Sequence, residues 1–255
     1  MKYKLTDKTL RYKKHTLHRI IRIDTNQLGG WIESEDNLSQ DGSCWVEKDA
    51  KVYEDARVYG NAQIEDNAEV YGNAQIYGNA IIREFAEICG NAKVYDEATV
   101  YGRTKIRGNS EIYNNAEVIT SYIDDDAKLY NNAKIFDADV RHNAKVYDNA
   151  ILYSSTAADN VEVFGNAKVY DESRLIHNAK IYGHAYLKEG CAMHNAEIYD
   201  NARIIGWSEV YGNAKVYEDA IVEPGIRICD NVRIHGSAHI TSSEFKYIDG
   251  DTEIC

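Results

Sequence analysis

No run of 18 apolar residues occurs in the 255-residue chain, so no segment is expected to cross a bilayer as a helix. The opening Met1-Lys2-Tyr3-Lys4-Leu5-Thr6-Asp7 lacks the apolar centre of a secretory leader. Cysteine is sparse: five are scattered, odd in number and without a Cys-x-x-Cys pair. That argues against a disulfide framework and predicts a reduced, cytoplasmic setting. Basic residues are in deficit, 29 Lys plus Arg against 41 Asp plus Glu, for a net charge of −12. Plain binding to DNA, RNA or anionic lipid needs a basic stripe, so neither membrane nor direct nucleic-acid contact is expected. A basic partner, or mimicry of an acidic polymer, stays open. Proline is reduced to Pro224, and Phe numbers 4 against 20 Tyr. Tyr has one polar end, so this bias predicts many half-exposed rings rather than a purely aromatic core.

What is present is a repeat. From Asp49 the chain reads Asp-Ala-Lys-Val-Tyr-Glu, Asp-Ala-Arg-Val-Tyr-Gly, Asn-Ala-Gln-Ile-Glu-Asp, Asn-Ala-Glu-Val-Tyr-Gly. A small residue and a β-branched residue two apart share one side of a strand, and the residue between them faces the other side. The Gly-Asn or Asp-Asn pair supplies the tolerance of positive φ that a sharp corner needs. The small position runs from Ala50 through Ala56, Ala62 and Ala68 to Ala238 and Ser243 in about 33 steps, most of them six residues long. Five-residue steps end at Ser121, Ala138, Ser155, Ala196 and Ser243. No ten-residue helix fits between such strands. A six-residue unit cannot bury its apolar side alone, but stacked copies can.

Every third step places an aromatic after the β-branched position: Tyr59, Tyr77, Tyr95, Tyr113, Tyr130, Tyr147, Phe164, Tyr182, Tyr199 and Tyr217. The matching position on the next face is mixed, as at Glu65, Arg83 and Tyr101, and so is that on the remaining face, as at Tyr53, Tyr71 and Cys89. Two corners are mostly Asn and one is ragged, with Phe85, Arg103, Thr120 and Trp207. Three steps therefore make one coil of a triangular prism. The expected fold is an all-β, single-stranded parallel β-helix of about 11 coils, each adding roughly 4.8 Å. Residues 1–43 break the pattern and are expected to form an N-terminal β cap over an otherwise open edge. The repeat is expected over 44–243, and 244–255 is expected as a C-terminal cap or tail.

The six-residue period with a small and an aliphatic residue two apart resembles the hexapeptide-repeat, left-handed parallel β-helix family. Within it, Gly29-Gly30-Trp31-Ile32-Glu33-Ser34-Glu35 with Asn37-Leu38-Ser39, followed by Val-Tyr-Gly-Asn-Ala units, resembles the YdcK-like proteins of bacteria and their phages, a group labelled as acyltransferases by fold. The resemblance implies left-handed coiling. It also implies trimers with acetyl-CoA or another acyl-CoA between neighbouring prisms, and a catalytic histidine, for which His177 and His194 are the candidates. The chain departs from that pattern. Its repeat varies by one-residue deletions, so no projecting loop interrupts the coils, and no C-terminal helix is evident. A catalytic base needs a defined pocket, which a bare prism offers at an oligomer interface.

His142, Asp159, His177 and His194 fall on one corner in four successive coils, about 5 Å apart. Such a column could hold a divalent metal or orient an imidazole; as a solvated corner it would do neither, and no metal is expected. The γ-class carbonic anhydrases share the resembled fold and hold zinc with three histidines, of which only His235 and His239 here are comparably close in sequence. Cys44 and Cys191 fall on the inward small position, Cys89 and Cys229 on an outward one. Outward mid-strand positions mix signs, as in Lys51, Glu69, Glu87 and Lys105, which is ordinary solvation and weak pairing. Ile81, Ile151, Tyr186 and Ile221 form spaced apolar spots on the third face that could belong to a contact surface.

The leading expectation is a non-catalytic scaffold or interaction protein that presents the Tyr59–Tyr217 edge to a partner protein or a second subunit, without a cofactor. The alternatives are an acyl-CoA-dependent acyltransferase and an acidic rod that mimics nucleic acid.

Overall fold

The computed structural model describes residues 1–243 and 246–255 and divides into two compact units, Met1–Asp126 and Ala127–Cys255. Both repeat strands of two or three residues joined by tight corners, which pair in parallel on three faces; the first unit adds longer N-terminal strands with antiparallel pairing. Among the described residues there is no α-helix; a single 3-10 turn spans Glu35–Asn37.

The strand and corner chemistry follows the repeat. Residues two apart, such as Ala74 and Ile76, point inward and are fully buried, while Gln75 between them faces out. Each buried Val or Ile contributes roughly 1.5–3 kcal/mol, and register keeps like over like: Ile88 lies between Val70 and Ile106. Corners take positive φ. At Gly72 (φ +69) an added Cβ would come within 2.9 Å of Gly90 N in the next coil, which is why glycine recurs there.

Other corners hold Asp, Glu or His at positive φ, as at Asp96 and Glu84. These place a side-chain acceptor on the backbone N–H one coil on: Asp96 Oδ2 accepts from Asn114 N at 3.2 Å, and Glu54 Oε2 from Gly72 N at 3.0 Å. That bond satisfies a corner amide that would otherwise lack a partner. One residue further along, amides form ladders of their own, Asn73 to Asn91 to Asn109 in the first unit and Asn143 to Asn160 to Asn178 in the second.

The first unit opens with β1 (Tyr3–Tyr12) and β2 (His15–Arg22), an antiparallel hairpin, followed by β3 (Leu28–Ile32). Parallel pairing starts at β3, where Trp31 meets Lys51 and Ile32 meets Val52. Leu38 bridges Val58 on the second face, and Trp45–Val46 pairs Gln63–Ile64 on the third. Much of the stretch read as cap thus builds the first coil, and the hairpin covers its edge. The Gly-Gly-Trp-Ile motif has a packing cause: a Cβ on Gly29 would sit 2.6 Å from both Ile20 Cγ1 and Trp45 Cζ2. Asn37, 1% exposed, ties the coil together. It donates to Glu54 O (2.8 Å) and Ala56 O (2.9 Å) and accepts from Glu33 N (3.1 Å) and Ser34 N (2.9 Å).

In the second unit two steps differ from the sequence reading. The short step after Ala185 ends at Gly190, not at Ala196: Gly190 takes the small position, Cys191 faces outward and Ala192 points in beside Leu175 and Val210. The step after Ala238 does not reach an inward position at Ser243; the next first-face strand is Tyr247–Ile248, paired with Arg227–Ile228. Glu253–Ile254 then pairs with Arg233–Ile234. Residues 246–255, expected as a cap or tail, therefore carry ladder strands, whereas 244 and 245 lie outside the described residues. Cys229, expected to face out, is 1% exposed beneath Tyr247, with 3.2 Å between Sγ and the hydroxyl.

Candidate functional site

The histidine column is built from the corner chemistry. His142, His177 and His194 all have positive φ, as the Asp and Glu of other corners do. Asp159 Oδ2 accepts from His177 N at 2.9 Å, His177 Nδ1 from His194 N at 3.4 Å, and His194 Nδ1 from Gly212 N at 3.4 Å. His142 Nδ1 lies 2.9 Å from Asp159 Oδ1. The His177 backbone bond and His142 hold the Asp159 carboxyl below its ordinary range. The His177 and His194 rings stack at 4.7 Å and 4°. Parallel rings send their ring-nitrogen lone pairs side by side, whereas a zinc ion needs them to converge at about 2.0–2.1 Å. Among the described residues no group of three or more His, Cys, Asp or Glu is placed to hold a metal ion. His235 and His239 lie on different faces, His235 stacked on Tyr217 and beside Glu253, His239 beside Glu223.

The aromatic column stacks on itself. In the first unit Tyr59, Tyr77, Tyr95 and Tyr113 stand 4.8–4.9 Å apart and within 4° of parallel. In the second, Tyr130, Tyr147, Phe164, Tyr182, Tyr199 and Tyr217 do the same. All ten are half-buried. Each ring face is covered by its neighbours, and burial raises the hydroxyl of Tyr147 to about 12. What remains outward is a rim of ring edges and hydroxyls.

The third face of the second unit is different. Its outward mid-strand column reads Lys134, Ile151, Lys168, Tyr186, Arg203, Ile221 and His239, with no carboxylate. Tyr186 stands in register between Lys168 and Arg203. The Arg203 guanidinium lies over the Tyr186 ring at 5.3 Å, and the Tyr170 and Tyr186 rings are 5.7 Å apart at 38°. Tyr153, on the same face, is 46% exposed. Lys168, Tyr170, Tyr186 and Arg203, together with Asn149, Asn166, His184, Asn201 and the carboxylate of Asp171, line an open groove. His184 interrupts an amide ladder: Asn149 donates to Asn166 and Asn201 to Asp219, and the His184 ring makes no hydrogen bond among the described residues.

No protein-family model and no curated protein matches the chain. Two solved structures similar to it are LpxA from Acinetobacter baumannii and a Bacillus cereus protein named as a candidate acetyltransferase. The first is 17% identical with a TM-score of 0.33, and the alignment covers 68% of this chain and 71% of that one. The second is 16% identical with a TM-score of 0.20, covering 70% and 87%. No helix among the described residues is long and apolar enough to cross a membrane.

Sequence reasoning singled out Tyr186, Ile151 and Ile221 on the third face but missed Lys168, Arg203, Tyr170 and His184. The available signal was the run of that column without an acid, and a histidine where the corner otherwise reads Asn.

A second cluster joins the hairpin to the first coils. Tyr12 donates to Glu69 Oε1 and Tyr53 to Glu69 Oε2 (3.1 Å), while Lys13 Nζ lies 3.3 Å from Glu69. Burial resists ionisation of Glu69, but the Tyr12 hydroxyl, Lys13 and Lys51 outweigh it and lower its carboxyl. Burial and Glu69 raise Tyr12 to about 12. His15 bridges Glu33 (2.9 Å) and Glu54 (3.2 Å). These bonds hold the cap on its coil.

Proposed function

We propose that the chain is a non-catalytic β-solenoid that holds a partner protein or a second subunit against its outward surface. The observation that carries this reading is the third face of the second unit, where aromatic, aliphatic and cationic side chains share an acid-free column. Tyr and Arg are enriched at protein interfaces. The self-stacked Tyr edge offers a rim rather than ring faces, which favours the third face over the ladder as contact surface. The groove is open, whereas sites for small substrates bury most of their ligand. His177 and His194 have their Nδ1 atoms engaged by corner amides, an arrangement that explains them without a reaction. The Gly29–Ser39 stretch that resembles the YdcK-like group builds the first coil, and membership of that group is part of the reading as a statement of fold.

Calorimetry with acetyl-CoA tests it. No saturable heat is expected. A micromolar dissociation constant that disappears in His177→Ala or His194→Ala would replace this reading with an acyltransferase.

A further inference from the structure

We propose that the third face of the second unit docks an acidic, extended segment of a partner protein, with carboxylates on Lys168 and Arg203 and an apolar side chain between them on Tyr186. This rests on the binding reading above and names its partner by chemistry.

Charge is the first argument. On the second face of the same unit cations meet carboxylates: Lys145 and Glu162 at 3.1 Å, Lys180 and Glu162 at 3.6 Å, Lys215 and Glu197 at 2.8 Å. On the first face Arg227 meets Glu209 at 3.1 Å. Lys168 and Arg203 form no ion pair among the described residues. Within the column His239 meets Glu223 at 3.1 Å, and beside it Lys188 meets Asp171 at 3.3 Å. Arg174 on the first face and Arg233 on the second also form no ion pair among the described residues, but those columns carry carboxylates such as Glu209 and Glu197; the third-face column carries none in a chain with net charge −12, which marks a surface whose counter-charge comes from elsewhere. Asp171 lines the same groove but is engaged by Lys188 at 3.3 Å, and at physiological salt the fields of more distant carboxylates fade over about 8 Å.

Spacing is the second. Lys168 and Arg203 sit on strands either side of that of Tyr186, two ladder steps or roughly 10 Å apart. A polyproline-II segment repeats its side every three residues, about 9.3 Å. Carboxylates at positions i and i+3 therefore reach both cations, and aromatic-lined grooves suit that conformation because its ordering cost is low. Nucleic acid fits less well: two unpaired cations neutralise about two phosphates, a small counterion gain against an acidic chain.

The test uses the full chain and a short fluorescein-labelled peptide repeating glutamate, proline and tyrosine, followed by anisotropy at physiological salt. Saturable binding is expected, weakened about tenfold or more by Lys168→Glu with Arg203→Glu and unchanged by Lys180→Glu with Lys215→Glu, with circular dichroism confirming that each variant folds. Substituting lysine for glutamate in the peptide should abolish binding. The proposal is overturned if the acidic peptide does not bind, if the lysine peptide or oligothymidylate binds as well or better, or if Lys168→Glu with Arg203→Glu has no effect. These failures remove the acidic partner and leave the binding reading standing; that reading falls on acetyl-CoA binding instead.

Discussion

Replacing Asn37 by alanine tests how the solenoid begins. The side chain makes four hydrogen bonds to main-chain groups of Glu33, Ser34, Glu54 and Ala56, at 2.8–3.1 Å, and is 1% exposed. Truncation leaves Ser34 N and the Glu54 and Ala56 carbonyls without partners, while Glu33 N keeps Val52 O at 3.1 Å. Each orphaned group costs about 1–3 kcal/mol, and a water entering the vacated space recovers part of that, so the net penalty is about 3–5 kcal/mol. In a repeat architecture stability is close to a sum of coil and nearest-neighbour contributions, so the loss stays local. Amides of β3 and of residues 51–58 should exchange roughly 10²- to 4 × 10³-fold faster, at about 1.4 kcal/mol per decade, while those of 127–255 keep their rates. Asn37→Asp should be worse than alanine, because it turns a carboxylate toward the Glu54 and Ala56 carbonyls. Hydrogen exchange read by mass spectrometry separates the regions. Unchanged protection in the first coil, or an equal loss throughout, would refute the reasoning.

The cap cluster predicts a pH response with a defined sign. The Tyr12 value of about 12 exceeds its ordinary 10.0, so its contribution is complete below pH 10 and is lost as pH rises through about 12; the lowered Glu69 contributes above the ordinary carboxylate range and is lost as pH falls through its folded value. Ultraviolet difference titration of the chain against Tyr12→Phe reads the first, and a midpoint at the ordinary tyrosine value would contradict the contact. In the ladder, Tyr147→Phe should change stability by less than about 0.5 kcal/mol, whereas Tyr147→Ala should cost about 1–2 kcal/mol from two lost stacks; equal effects in urea denaturation would show that the hydroxyl and not the ring matters. His177→Ala should cost about 0.5–1.5 kcal/mol through the lost corner bond and leave metal content at background in elemental analysis, and a stoichiometric metal released by this change would make the column a metal site.

The fold was legible because its information is periodic. A one-residue slip in a strand moves the aliphatic set to the wrong side, and the three-step recurrence of Tyr and Asn removes that ambiguity over most of the chain. It failed where the period lost its marker. Around Cys191 both Gly190 and Cys191 are small, and the inward aliphatic position is occupied by Ala192, which has no β-branched signature; the trace therefore ran one residue late and turned Cys191 inward. Near the chain's last strands the spacing from Ala238 lengthens, which a pattern of deletions does not anticipate. The first coil was hidden for another reason. Its corners are made by Asn37, a capped 3-10 turn and two close-packed glycines, so it shares the geometry of the repeat without its sequence.

The site was less legible than the fold because the corners are chemically degenerate. Asp, Glu and His at positive φ all offer an acceptor to the amide one coil on, as Asp96, Glu54 and His177 do. A histidine in that column is one of several residues meeting the same backbone requirement, and its presence says little about chemistry. Outward mid-strand positions are the reverse. Nothing in the backbone dictates their charge, and solvation alone is served by the alternating signs seen on the second face. A column that omits carboxylates while keeping Lys168 and Arg203 around Tyr186 departs from what folding requires. In a solenoid the informative residues are those the repeat leaves free to vary, and the third face is where such residues share one sign.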